Sequence, residues 1–463
     1  MKTIVNIASL LWRLARWNCY IWLPDYIKRS TSHRSARRVG KEITDVVVLV
    51  TDHFEPARKE GEVGVRRVRE WCDRFAEVAS KHRDSDGVMP QHTWFYRYDY
   101  PNYECIQILS EYVFRGLGEI EFHLHHGHDN ADSFSEKIRS GVEWFNQVGA
   151  MLTAEATPKR RFAYIAGNWA LDNGRRNDAM SGCNTELEVL GKAGCYADFT
   201  FPAFSVNAQP STVNSIYYVT DTPSPKSYDR GIPMRVGGRA SGDLLIFQGP
   251  ISVDLCRGHI EYASLETFTP YFRERIDYWV KAGVSVVGRP EWLFVKLHTH
   301  GMQSRDTFLG AQMEQRCSDL EMLCKQTNCR LHYVTAREAF NIARAAEAGR
   351  EGDAGQYRDF DIAKPVNRYL NCNVPYRVLS YSSEELVMAI LQPSEKAEIY
   401  FDGLSVQAVC GGMVKAISIK HRNGAPTYLS VEGEGTCTIT MRPANGDASE
   451  KRIVTLPFIE GRM

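Results

Sequence analysis

The run Asp45-Val46-Val47-Val48-Leu49-Val50 constrains this chain more than any other segment. An apolar stretch of this kind reads as a strand buried on both faces, as in a parallel sheet. Alternating patterns follow it. A stripe of Val65, Val68, Cys72, Phe75 and Ala79 predicts a helix. Further strands are predicted near His92–Tyr98, Glu119–His125, Phe162–Ala166, Cys195–Phe201, Asp243–Phe247, Glu291–His298 and Leu331–Val334. Helices are predicted near Tyr103–Phe114, along Phe134, Ile138, Val142 and Phe145, along Leu309 to Cys324, and from Ala336. Thr269-Pro270 reads as the N-cap and first residue of another helix running through Val280. Repeated β-then-α units over about 300 residues predict a parallel α/β barrel or a doubly wound sheet.

The remaining sections differ in texture. Residues 1–41 form a basic, aromatic lead-in, residues 42–345 the α/β section, residues 346–372 a charged linker, and residues 373–463 an all-β, sandwich-like domain. The last is read from short runs such as Leu386–Leu391, Ile399–Phe401, Lys415–Ile419, Tyr428–Val431 and Cys437–Met441, with Asp402-Gly403 and Asn423-Gly424 as hairpin turns. In the lead-in, the longest charge-free apolar stretch, Ile4–Trp12, falls short of the roughly 20 residues needed to span a bilayer. It lacks a small-x-small cleavage site, which is a poor fit to a secretory signal. Tryptophans and arginines mixed along residues 1–38 suit either a peripheral helix at a membrane surface or a helix packed on the protein itself with a basic arm. The twelve cysteines form no CxxC pair, which favours a reducing compartment. The expected location is therefore cytoplasmic, with peripheral contact at the inner face of the membrane as an option. A formal net charge of zero offers no electrostatic case for nucleic acid as a partner.

Four segments carry candidate chemistry, each where a strand should end, which is where parallel α/β folds collect their reactive groups. Asp52 and His53 follow the first strand. Glu119 to Asp129 holds His123, His125, His126 and His128, four of the thirteen histidines within six residues. Strand alternation places His123 and His125 on one face, and imidazoles at this spacing suit zinc, nickel, iron or cobalt. His298 and His300 share a face at the end of a later strand. Asn168 and Trp169, and then Asp198 and Phe201, suit sugar recognition, because aromatic rings stack on sugar C–H faces and polar groups bind hydroxyls. Each also has a plainer reading: a turn cap for Asp52, adventitious metal binding for the histidine loop, a satisfied core histidine for His298, and loop packing for the aromatic segments.

The order of these motifs resembles the polysaccharide deacetylase superfamily over about residues 42–345. Val50-Thr51-Asp52-His53 is similar to that family's Thr-Phe-Asp-Asp, Glu119-Ile120-Glu121-Phe122-His123 to its Glu-Ile-Gly-x-His, and Leu297-His298 to its closing Leu-x-His. Asn168-Trp169 and Asp198-Phe199 fall where its groove motifs lie. The resemblance implies a distorted (β/α) barrel and a divalent metal ion, zinc first. It implies Asp52 as general base, His53 as a possible ligand or the reverse, and His298 or His300 as the proton donor. The family's second metal histidine has no direct counterpart, since Gly127 stands four residues after His123. His123 is thus the anchor, with His125, His126 or His128 beside it. The implied activity is removal of acetyl groups from a polysaccharide or a lipid-linked glycan. A glycoside hydrolase using Asp52 with Asp198, and a non-catalytic carbohydrate-binding or assembly protein, are the alternatives.

Overall fold

A computed structural model describes residues 15–38, 43–56, 61–153, 162–175, 182–204, 206–254, 256–382, 385–391, 396–401, 404–410, 414–422, 425–433, 437–443 and 452–456. Two compact units emerge. The first takes in residues 1–101, 117–141 and 162–362, and the second residues 102–116, 142–161 and 363–463.

The first unit is built on a parallel-dominated sheet. Its strands are β1 (Asp45–Phe54), β2 (His92–Arg97), β3 (Gly118–Leu124), β4 (Phe162–Ala166), β5 (Cys195–Asp198), β6 (Ile216–Val219), β7 (Ile232–Pro233), β8 (Leu244–Phe247), β11 (Trp292–Thr299) and β12 (Arg330–Val334). A separate hairpin pairs β9 (Ser252–Asp254) with β10 (His259–Glu261). The strand order is β11-β1-β2-β3-β4-β5-β8-β6-β7. β1 is buried along its whole length, as its apolar run requires, and it continues four residues beyond Val50. β11 runs along one edge of β1, and the other edge is shared by β12, beside Asp45–Leu49, and β2, beside Thr51–Phe54.

The sheet curls into a half-barrel rather than the expected (β/α) barrel. Its parallel order ends at β8, β6 and β7 continue antiparallel, and β11 and β7 stand at opposite ends of the strand path. Alternate residues, among them Val47, Leu49, Phe95, Ile165, Phe247 and Phe294, fill the concave side. Helices Gly61–Ala79, Ala131–Asn146, Ala311–Thr327 and Ala336–Glu347 lie where the periodicity puts them. The last opens on a capping box between Thr335 and Glu338. Thr269-Pro270 does not open a helix. Thr269 bridges to Glu266, and its carbonyl accepts from Arg275 Nη1 at 2.7 Å, so the helix starts only at Arg275 and runs to Ala282.

The lead-in helix, Cys19–Arg38, seats Cys19, Trp22 and Tyr26 on Phe204, Val213, Ile251 and Ile260. Asp25 accepts from Arg29 and from the Val213 N–H, and Tyr26 Oη accepts from the Val253 N–H at 3.0 Å. These aromatic side chains therefore pack on the protein's own surface. No described helix is long and apolar enough to cross a membrane. The stretch Ile4–Trp12 and the turns Asp402-Gly403 and Asn423-Gly424 lie outside the described residues.

The second unit carries two antiparallel sheets. One has the order β13 (Leu370–Cys372), β16 (Lys396–Phe401), β17 (Leu404–Cys410), β20 (Cys437–Pro443) and β21 (Arg452–Leu456). The other has β14 (Tyr376–Tyr381), β15 (Glu385–Ile390), β18 (Val414–Arg422) and β19 (Ala425–Gly433). Leu370, Val378, Leu386, Met388, Ile399, Phe401, Ile417 and Ile419 share its core.

An ionic network closes the N-terminal end of the parallel strands. Buried Asp45 accepts from His332 Nε2 at 2.9 Å and Arg330 Nη2 at 2.8 Å, and His332 Nδ1 donates to Asp86 at 2.9 Å. Burial pushes the His332 pKa down, but the hydrogen bonds to Asp45 and Asp86 outweigh it and raise it above 6.5. A raised folded value means that His332 stabilises the fold fully below pH 6.5 and that this contribution fades as pH rises through the folded value. Thermal unfolding followed against pH should therefore show stability falling above that point, and His332→Gln should remove this slope. An unchanged slope in the variant would assign it to another group.

Candidate active site

The C-terminal ends of β1, β2, β3, β4 and β11 surround a cavity of about 260 Å3 lined by His53, Glu55, His125, Asn168, Trp169, His300 and Gln303. Strand alternation explains the first two. β1 is extended through Phe54, so His53 and Glu55, two residues apart, face the same side. In register, Arg97 of β2 pairs with His123 of β3, which pairs with Ile165 of β4. His125 follows two residues after His123, on the same face.

Three donors converge here. Glu55 Oε1 lies 3.3 Å from His123 Nε2 and 3.3 Å from His125 Nε2. All three ligand atoms fall within 4.8 Å of one another. Ligands held about 2.0–2.1 Å from a tetrahedral ion stand about 3.3 Å apart, so the spacing fits zinc-like coordination. The far side of each imidazole is fixed. His123 Nδ1 lies 2.9 Å from the Ile165 carbonyl, which can only accept, so Nδ1 carries a proton, and Nε2 faces Glu55 as a donor when the ring is protonated and as a lone pair when it is neutral. Two facing lone pairs repel unless a proton or a cation lies between them. His125 Nδ1 faces Asp99 Oδ1 at 3.4 Å, and Asp99 also accepts from the His125 N–H at 3.1 Å. Such partners behind the ligand are what metal-binding histidines use to fix tautomer and ring angle. Arg97 joins the two carboxylates, bonding Glu55 Oε2 at 3.2 Å and Asp99 Oδ2 at 2.8 Å. Burial raises the Glu55 carboxyl, but the His123 hydrogen bond and the charges of His123, His125 and Arg97 bring it down to about 2.

A second pair of imidazoles stands opposite. His53 and His300 stack with ring centroids 4.6 Å apart, and His53 lies 5.0 Å from His123. Burial, and then the neighbouring His300 and His123, hold His53 well below the usual imidazole range. Burial also pulls His300 down, but its Nδ1 hydrogen bond to Glu266 at 2.7 Å wins and raises it. Trp169 closes the wall, 5.9 Å from His53 and 5.6 Å from His300. Its segment is strained: Asn168, Trp169, Asp172 and Asn173 all adopt positive φ, between 47° and 56°. Left-handed non-glycine residues in such density mark a segment over-determined by its surroundings, as at binding sites. Gly167 is required there, since a Cβ would come within 2.6 Å of the His125 ring.

The other predicted residues lie elsewhere. Asp52 points to the opposite face of β1 from His53 and Glu55. Its Oδ2 bonds His92 Nε2 at 2.9 Å, its Oδ1 accepts from the Gly301 N–H at 2.6 Å, and it does not line the cavity. His126 has turned away, with Nδ1 2.9 Å from Asp129, Nε2 3.2 Å from Glu186 and its ring stacked on Phe134. His128 is exposed. His298 is buried beside Tyr262, its Nδ1 has no hydrogen-bond partner among the described residues, and burial pushes it down to about 3. Asp198 accepts both bonds of Thr200, and burial raises it to about 7. Phe201 stacks on Tyr228, and its carbonyl accepts from buried Lys296 at 2.7 Å. The residues that sequence reasoning missed are Glu55, Arg97, Asp99, Glu266 and Gln303. Glu55 could have been found from the two-residue period that pairs it with His53, and Arg97 and Asp99 from their place at a strand end.

No protein-family model matches the chain. No curated protein matches it. Among solved structures, the chain is similar to one from Parabacteroides distasonis, provisionally described as a glycoside hydrolase/deacetylase, with 10% identity, a TM-score of 0.36, and coverage of 90% of this chain and 85% of that one.

Proposed function

We propose that this protein is a metal-dependent hydrolase that removes acyl groups, acetyl first, from a carbohydrate. The observation that carries the reading is the convergence of Glu55, His123 and His125 at 3.3 Å spacings, with Ile165 and Asp99 behind the two imidazoles. A divalent ion such as zinc in this donor set supplies a Lewis acid and water with a pKa of roughly 7. The remaining steps fall to the chain's own groups. His53 and His300 have pKa values pushed apart by their surroundings, a pattern that separates base from acid. His53, held neutral, takes a proton from the attacking water. His300, whose proton the Glu266 hydrogen bond favours, gives one to the leaving oxygen or nitrogen. Trp169 and Asn168 bind the sugar, the ring stacking and the amide hydrogen-bonding. At about 260 Å3 the cavity is just below the ~300–1,000 Å3 usual for ligand sites, which suits one acylated ring or its acyl group.

The glycosidase alternative needs two carboxylates flanking the scissile bond. Among the described residues, Glu55 is the one carboxylate that lines the cavity, and neither Asp52 nor Asp198 reaches it. Acetate release from acetylated glycans, with and without a chelator, tests the reading. Release should stop on chelation and return with zinc. His300→Asn should slow it by roughly 10^2–10^4 while metal content stays unchanged. Chelator-insensitive acetate release, or reducing-sugar release without acetate, would remove the assignment.

A further inference from the structure

The lead-in helix has a second face that the fold leaves outside. Cys19, Trp22 and Tyr26 hold the helix on the body, while Tyr20 and Ile27 stand 73% and 56% exposed on other sides of it. Such side chains are ordinary singly, but here they belong to an unusual stretch. Residues 1–38 carry eight lysines and arginines against one acid, Asp25, a net charge of +7. The whole chain is neutral, so the other 425 residues sum to −7. Arg34, Arg37 and Arg38 lie in the last turns of the helix, beyond the residues that anchor it. Between the cations at positions 2 and 13 the stretch from Ile4 to Trp12 is uncharged and mostly apolar, with Asn6 and Ser9 as its polar residues.

We infer that residues 1–38 dock this protein on an anionic lipid bilayer. Concentrated positive charge alone would suit any polyanion. Aliphatic residues interleaved with the cations, together with exposed Tyr20 and Ile27, select a surface that offers hydrocarbon beneath its phosphates. Nucleic acid offers none. Each cation near an anionic leaflet is worth about a five-fold change in partitioning. The docking element also lies at the reactive end of the sheet. Trp17 meets Phe204 at 5.8 Å, Phe204 meets Tyr262 at 4.3 Å, and Tyr262 meets His298 at 5.7 Å. A protein held by this element presents that end of the sheet to the membrane surface. The inference stands apart from the metal chemistry and survives if the site proves to bind none.

Flotation of the full-length protein with vesicles tests it. Vesicles rich in phosphatidylglycerol should carry the protein, phosphatidylcholine vesicles should not, and added salt should release it. Arg34→Gln/Arg37→Gln/Arg38→Gln should weaken binding about 100-fold. Tyr20→Ser/Ile27→Ser, both exposed, should weaken it further with the far-ultraviolet circular dichroism unchanged. Equal flotation with both lipids, absence of flotation, or displacement from anionic vesicles by equimolar RNA would overturn the inference.

Discussion

Glu55→Gln should strip the protein of its metal. Purified without a histidine tag, the unmodified chain is expected to hold about one equivalent of a divalent transition ion. The glutamine side chain keeps the volume but removes the anion that faces both His123 Nε2 and His125 Nε2. It also places an amide where Arg97 now donates to Oε2. Loss of a partner behind a ligand costs 10–100-fold in affinity, so loss of a direct ligand should exceed about 100-fold. Asp99→Asn supplies the graded comparison. It keeps all three donors and alters what stands behind them, the hold on His125 and the bond to Arg97, so its affinity should fall within that roughly 10–100-fold range. Elemental analysis and competition with a chromophoric chelator read both variants. Glu55→Gln binding metal as tightly as the unmodified chain would dissolve the proposed centre, whatever the activity assays show.

The parts of this molecule that a sequence reader can see are those governed by period. β1 through β4 follow from apolar runs and their helices from the 3.6-residue stripe, because burial alone dictates both patterns. His123 and His125 share a face for the same reason. The same rule places Glu55 with His53, provided that β1 is allowed to run through Phe54. Ending the strand at Val50 turns Asp52 and His53 into loop neighbours, when they in fact face opposite sides. Residues placed by partners distant in sequence are not legible. Thr269-Pro270 carries a local helix signal, yet buried Arg275 takes the Thr269 and Pro270 carbonyls and delays the helix. The sheet leaves its parallel order where β6 pairs antiparallel to β8, and no local pattern announces that pairing. His126 looks equivalent to His125 until Glu186, sixty residues later, takes its ring nitrogen. In the second unit, β13 has three residues, too few to show any alternation.

Asp52, on β1, and Glu55, just past its end, stand three residues apart, and their variants should fail in different ways. Asp52 is fully buried and answers two donors, His92 Nε2 and the Gly301 N–H. Gly301 follows His300 directly, and its carbonyl accepts from Trp71 Nε1 at 3.1 Å. The turn that carries His300 is thus pinned from both sides. It also admits no side chain, since a Cβ on Gly301 would lie 2.1 Å from Asp52 Oδ2. Asp52→Ala leaves a buried imidazole and a buried N–H without their acceptor, which costs about 3–5 kcal/mol. Asp52→Asn keeps one oxygen for Gly301 and should recover much of that loss. Both variants should retain the metal, because neither touches Glu55, His123 or His125. Denaturant unfolding and metal analysis together separate the roles. A general base at position 52 would give the reverse pattern for Asp52→Asn: near-native stability, full metal content and no acetate release. A positioning carboxylate gives measurable stability loss with activity reduced in proportion to the loosened His300 turn, and Asp52→Ala worse than Asp52→Asn on both counts.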